Sequence, residues 1–115
     1  VNGDSMIDAC IADGDMVLME PIQDLYSLRN GNIVSAMVPG LGTTLKYFVK
    51  KQGKIFLEAA NPAYEPIELN LDQVVFQGKL LAVWRKVWYQ SYLIYFAINN
   101  IFYNNQFVFA SGNLF

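Results

Sequence analysis

Across its first 86 residues the chain is a series of short apolar runs, each cut off by glycine, proline or asparagine before an amphipathic helix could be completed. Residues 16–20 follow the turn Asp13-Gly14-Asp15, and Ile33–Val38 follow Arg29-Asn30-Gly31-Asn32. Residues 43–50 follow Pro39-Gly40-Leu41-Gly42, and residues 55–57 follow Gln52-Gly53. Residues 73–84 are a β-branched and aromatic run with Gly78 inside it, where a bend is expected. Runs of this length with this punctuation read as strands, so the expected fold class is mainly β. Helical spacing occurs only around residues 6–11, at Met6, Ile7 and Cys10, which predicts one helical turn after Ser5.

The pattern changes abruptly at position 86. All 8 Lys and Arg and all 10 Asp and Glu lie between Asp4 and Lys86, and none follows. Ten of the seventeen aromatic residues fall after that point. A membrane-spanning helix needs about 20 mostly apolar residues. Here Gln90, Ser91, Asn99-Asn100 and Asn104-Asn105-Gln106 interrupt every window of that length. Two readings of residues 87–115 stand: an added strand pair that meets a membrane or a partner, or a segment without selected function whose Asn, Tyr, Phe and Ile content reflects nucleotide bias. The expected organisation is therefore one domain over 1–86 and an uncharged aromatic tail over 87–115, since 115 residues hardly supply two cores. Val1 enters directly into a Gly-Asp-Ser turn, which does not resemble a signal peptide and suggests a fragment.

Several chemistries are excluded by residue type. The chain has no histidine, which removes Ser-His-Asp and Cys-His arrangements and every imidazole metal site. Its one cysteine, Cys10, leaves no internal disulfide. A net charge of −2 provides no basic field for a phosphate backbone. Carboxylates, hydroxyls, lysines and backbone amides remain.

Among these, Gly3-Asp4-Ser5-Met6 is the most informative stretch. A serine after a glycine turn, where a strand gives way to a helical turn, holds its hydroxyl out beside unpaired backbone N–H groups. The same serine could simply cap the helix. If it is a nucleophile it needs a base, and without histidine the candidates are carboxylates or a lysine whose pKa burial has pulled down. Lys46 lies in the apolar run Thr43-Thr44-Leu45-Lys46-Tyr47-Phe48-Val49, where strand alternation puts Thr44, Lys46 and Phe48 on one face. Lys46 can therefore point at a site beside a hydroxyl and an aromatic ring, or else face solvent. Lys50, Lys51 and Lys54 cluster around Gln52-Gly53 and read as a solvated turn.

Taken in order, six segments resemble the C-terminal domain of LexA-type repressors, peptidase family S24. They are Val1-Asn2-Gly3-Asp4-Ser5-Met6, Ile11-Ala12-Asp13-Gly14-Asp15, Arg29-Asn30-Gly31-Asn32-Ile33-Val34, Thr43-Thr44-Leu45-Lys46, Asn61-Pro62-Ala63-Tyr64-Glu65-Pro66-Ile67 and Gly78-Lys79-Leu80-Leu81-Ala82-Val83-Trp84-Arg85. The loops Tyr26-Ser27-Leu28-Arg29 and Val38-Pro39-Gly40-Leu41-Gly42 look most like the cyanobacterial branch. The resemblance covers residues 1–85. It implies a small, strongly bent β-structure of the LexA and signal-peptidase type, truncated at its N-terminus, that self-cleaves as a serine peptidase and forms a homodimer.

By the same resemblance Ser5 is the nucleophile and Lys46, 41 residues on, the general base. The backbone N–H groups of Asp4 and Ser5 form the oxyanion site, Asp13-Gly14-Asp15 shapes a turn, and no cofactor or metal is needed. The implied partners are a second copy of the chain and the RecA filament of the SOS response. Operator DNA would be met only through an N-terminal winged helix-turn-helix absent from this sequence, as is the Ala-Gly linker that is cut. The implied location is the cytoplasm, with no membrane. Three alternatives share some of these features: a UmuD-type polymerase accessory protein, signal peptidase I, and a dimerisation module with a vestigial Ser5 and Lys46. Signal peptidase fits less well, because Ile7-Asp8 follows Met6 where Pro-Thr would be expected.

Overall fold

In the computed structural model, which describes residues 1–86, 91–98 and 101–111, the strands start where the glycine and asparagine turns release the chain. Eight are present among the described residues: β1 (Met16–Pro21), β2 (Ile33–Val38), β3 (Gly42–Lys51), β4 (Lys54–Glu58), β5 (Ile67–Leu69), β6 (Val75–Lys86), β7 (Ser91–Ile98) and β8 (Ile101–Ser111). They form one antiparallel sheet in the order β5-β4-β3-β2-β6-β7-β8, with β1 also paired to β6. The fold is mainly β. The β3–β4 hairpin turns on Gln52 and Gly53, both at positive φ (51° and 77°), the twist that lets two strands close over a two-residue loop.

The bend expected at Gly78 has a visible cause. Register shifts fall between Leu18 and Met19 of β1 and between Ser35 and Ala36 of β2, so β6 carries an extra residue against each neighbour on either side of Gly78. Such bulges sharpen local twist and bend the strand. A Cβ at Gly78 would lie 2.8 Å from the Met19 Cβ, so only glycine admits this approach of β1. The bent sheet closes over two apolar clusters. Val34, Ala36 and Val38 of β2 join Phe48, Ile55, Leu57 and Phe76 in one, where the Phe48 and Phe76 rings meet edge to face at 5.5 Å. Ile33 enters the other with Met6, Ile11, Leu80 and Val83.

Three details differ from the sequence expectation. Residues 71–73 form a 3-10 turn with a capping box between Asn70 and Gln73, so β6 starts at Val75; the local hydrogen bonds of Asn70 outcompete the strand there. The three-residue β5 was not anticipated, being too short for a period to register. The turn after Ser5 is 3-10, confined to Ile7–Ala9. Within the tail, β7 pairs with β6 from Ala82↔Phe96 to Lys86↔Tyr92, and β8 pairs with β7. The remainder of the 87–115 tail lies outside the described residues. No helix among the described residues is long and apolar enough to cross a membrane.

Candidate active site

Residues 1–11 make a loop whose shape is fixed from several sides. Gly3 takes φ +90°, a conformation open to glycine at little cost, and its N–H donates to Asp13 Oδ1 at 2.6 Å. Gly14 N–H donates to the Val1 carbonyl at 2.8 Å, and Asp8 N–H to the Ala60 carbonyl at 2.8 Å. Met6, 2% exposed, plants the loop in the second apolar cluster. The residue at the cap of the 3-10 turn is Met6, with no side-chain capping bond, so Ser5 is not the cap. Its hydroxyl is engaged elsewhere.

That partner is Lys46. Placed mid-strand on β3 opposite Val34 and only 8% exposed, Lys46 brings Nζ to 2.9 Å from Ser5 Oγ. Nζ also donates to Thr44 Oγ1 at 2.6 Å and to the Leu45 carbonyl at 3.2 Å. None of these three acceptors is a carboxylate. Burial therefore pushes the Lys46 ammonium below the usual lysine value, because desolvation opposes its charge. Three N–H groups of an ammonium match three acceptors. A neutral amine has two N–H groups and one lone pair, so with Thr44 Oγ1 and the Leu45 carbonyl accepting, the lone pair is left for the Ser5 hydroxyl proton.

Strand alternation places Lys46 and Thr44 on one face, and Lys46 Nζ meets both Ser5 Oγ and Thr44 Oγ1. It misplaced the aromatic ring: Phe48 continues inward to the core, where it contacts Phe76. The ring lining the cleft is Tyr64, from the loop between β4 and β5. This cleft, about 510 Å³, is bordered by Ser5, Lys46, Thr43 and Ser35 as well. Tyr64 Oη donates to Asp4 Oδ1 at 2.6 Å, and Asn61 Nδ2 donates to the Asp4 carbonyl at 3.0 Å. Both residues lie within a motif legible in the sequence, but their contacts reach back about 60 positions, which no local spacing reveals. The backbone N–H groups of Asp4 and Ser5 make no hydrogen bond among the described residues.

Behind the loop, Asp15 is 2% exposed and takes both ends of the Arg85 guanidinium, Nε to Oδ1 and Nη2 to Oδ2, each at 2.8 Å. Its Oδ2 also accepts the Ala12 N–H at 2.8 Å. Asp13 and Asp15 thus hold backbone and β6 in place, and neither side chain reaches Ser5 or Lys46 in these bonds. Among the described residues no group of three or more Cys, Asp or Glu side chains converges as a metal site would require.

The mainly β domain that sets the Ser5 hydroxyl against Lys46 matches a serine peptidase family. Residues 1–81 match the family described as Peptidase S24-like, and the chain belongs to that family. It is also 48% identical over 85 residues to a LexA repressor of Ruegeria sp. (strain TM1040), an alignment covering 74% of this chain and 34% of the relative. The chain thus carries a LexA-type S24 domain and spans about a third of the length of that curated relative.

Proposed function

We propose that this domain cleaves a peptide bond in the linker of its own parent protein, with Ser5 as nucleophile and Lys46 as general base. The observation that carries the reading is the 2.9 Å contact of Lys46 Nζ with Ser5 Oγ, made by a buried lysine whose other acceptors are neutral. Neutral Lys46 accepts the Ser5 hydroxyl proton as Oγ attacks the carbonyl carbon of the scissile bond. The carbonyl oxygen takes up negative charge beside the free N–H groups of Asp4 and Ser5. Collapse breaks the C–N bond, and the Lys46 ammonium returns its proton to the departing amine. Water then hydrolyses the acyl ester, with Lys46 again accepting a proton.

In this proposal the parent protein is a LexA-type repressor in the cytoplasm. RecA filaments promote the cleavage, the domain supplies the homodimer contact, and a separate N-terminal domain meets operator DNA. Similarity to a LexA repressor supports this reading. So does the absence of any basic field in this chain, whose net charge is −2. The test is cleavage of the parent protein with its linker in place, followed by gel electrophoresis. Ser5→Ala and Lys46→Ala are each expected to stay intact where wild type is cut. Wild-type cleavage in Lys46→Ala would refute the dyad.

A further inference from the structure

The loop between β4 and β5 grips the residue before the serine by its backbone, and that grip acts on the serine's own amide. Asn61 Nδ2 donates to the Asp4 carbonyl at 3.0 Å, while Asn61 Oδ1 accepts the Ala63 N–H at 2.9 Å. Because the oxygen end is occupied by a donor, the amide has one orientation, with its NH2 toward Asp4. The Tyr64 N–H donates to the Asn61 carbonyl at 3.1 Å, closing the turn that presents both side chains. The Asp4 carbonyl and the Ser5 N–H belong to one planar trans peptide unit and point in opposite directions. The Asp4 carbonyl also accepts the Ile7 N–H at 3.2 Å, a bond within the turn itself, so Asn61 adds the shorter bond, from across the cleft, that sets the direction of the carbonyl and with it that of the N–H. A hydrogen bond accepted by that carbonyl also polarises the amide and makes its N–H a stronger donor.

We propose that Asn61 is a positioning residue that aims the Ser5 N–H at the developing oxyanion by holding the Asp4 carbonyl. The inference rests on the Ser5–Lys46 reading above and adds to it the element that sets the oxyanion donor. Tyr64 completes the arrangement: its hydroxyl, 2.6 Å from Asp4 Oδ1, keeps that carboxylate from turning back to take the Ser5 N–H for itself. Without Tyr64 the short Asp side chain could bond to nearby backbone, as aspartates in turns commonly do.

The test is acylation of Ser5 in the full chain by p-nitrophenyl acetate, with tandem mass spectrometry of the proteolytic peptides locating the acetyl group. Ser5 Oγ forms the ester, its proton passes to Lys46, and p-nitrophenolate leaves. The thiono analogue of the ester places the developing charge on sulfur, a poorer hydrogen-bond acceptor, so it depends less on the oxyanion donor. Asn61→Asp keeps the acceptor for the Ala63 N–H and removes the donor to Asp4. We expect it to slow the oxygen ester by about a hundredfold while slowing the thiono ester far less. Thermal melting checks that the variant is folded, and Asn61→Ala carries the same readout should Asn61→Asp not fold. Wild-type rates in a folded Asn61 variant, or equal slowing of both esters, would overturn the positioning role and leave the dyad standing. Acylation of Ser5 that persists in Lys46→Ala removes the dyad, and the positioning role with it.

Discussion

Lys46 and Arg85 both reach into the segment formed by residues 1–15, and both are drawn partly or wholly out of water, but they meet opposite company. Arg85 lies against a carboxylate, with Asp15 accepting two parallel bonds at 2.8 Å. Lys46 meets a hydroxyl, a second hydroxyl and a carbonyl. A fixed countercharge keeps a guanidinium charged and makes it a structural tie between β6 and the Asp13-Gly14-Asp15 turn. Neutral acceptors leave an ammonium to bear its desolvation alone, so its pKa falls and proton transfer comes within reach. Two cations that meet one loop thus differ in what faces them, and that difference supports a structural tie at Arg85 and the proposed proton transfer at Lys46.

Replacing each cation by methionine sets the two regions directly against each other. Lys46→Met is expected to lower cleavage by at least about a thousandfold, since removal of one member of a nucleophile–base unit costs most of the unit's effect. Its urea midpoint should match or exceed wild type, because a desolvated ammonium is replaced by an apolar chain. Arg85→Met should reverse this pattern. It leaves the Asp15 carboxylate buried without its guanidinium, which costs about 3–5 kcal/mol of folding stability in urea titrations. Folded Arg85→Met molecules should still acylate Ser5. A variant at either position that moved both readouts equally would end the comparison.

The second way to sharpen it is pH. In the proposed mechanism the reactive form of Lys46 is the neutral one, so cleavage should rise with pH, falling about tenfold for each unit below the folded-state pKa. Stability carries the same sign. The folded pKa of Lys46 lies below its unfolded value of 10.5, so the unfolded chain binds more protons between the two. The Lys46 contribution is therefore fully present above the unfolded value and lost as pH falls through the folded one. Comparison of wild type with Lys46→Met in urea across that window isolates this contribution from the tyrosines and the other lysines. A difference that does not change with pH would mean that burial leaves the lysine charged.

Smaller effects are expected at Thr44, which only orients the amine. Thr44→Val keeps the shape and removes one acceptor, and we expect cleavage to fall by about tenfold with the pH midpoint displaced. The direction is informative: loss of an acceptor for the ammonium should lower the Lys46 pKa further. Stability should change by less than about 1 kcal/mol, as for a single half-buried hydroxyl bond.

Much of the site is legible along the chain because strands encode faces with a period of two. That period put Lys46 and Thr44 on the same side of β3, and the Gly3-Asp4-Ser5 turn marked the hydroxyl that Lys46 meets. Phe48 shows where the rule stops. It shares the Lys46 face by alternation, yet the twisted sheet carries it into the first apolar cluster, and the cleft receives Tyr64 instead. Helix capping failed as a reading of Ser5 for a related reason: the turn begins one residue later, and a lysine 41 positions away holds the hydroxyl. The uncharged tail yielded no period, while its backbone in 91–98 and 101–111 continues the sheet from β6, since strand pairing needs only main-chain donors and acceptors.

What the sequence by itself determined is the class of the domain and two candidates for its chemistry, Ser5 and Lys46. Absent histidine, glycine-punctuated apolar runs and the ordered motifs of residues 1–85 leave few other solutions. Tertiary structure alone decided which cation meets the serine hydroxyl and which meets a carboxylate. Composition treats Lys46 and Arg85 alike, but only the folded chain brings Asp15 across 70 positions to one and Ser5 across 41 to the other. The free energy of a charge depends on the groups within a few ångströms of it, and which groups those are is settled by how the sheet bends at Gly78 and how the loop at Asn61 closes.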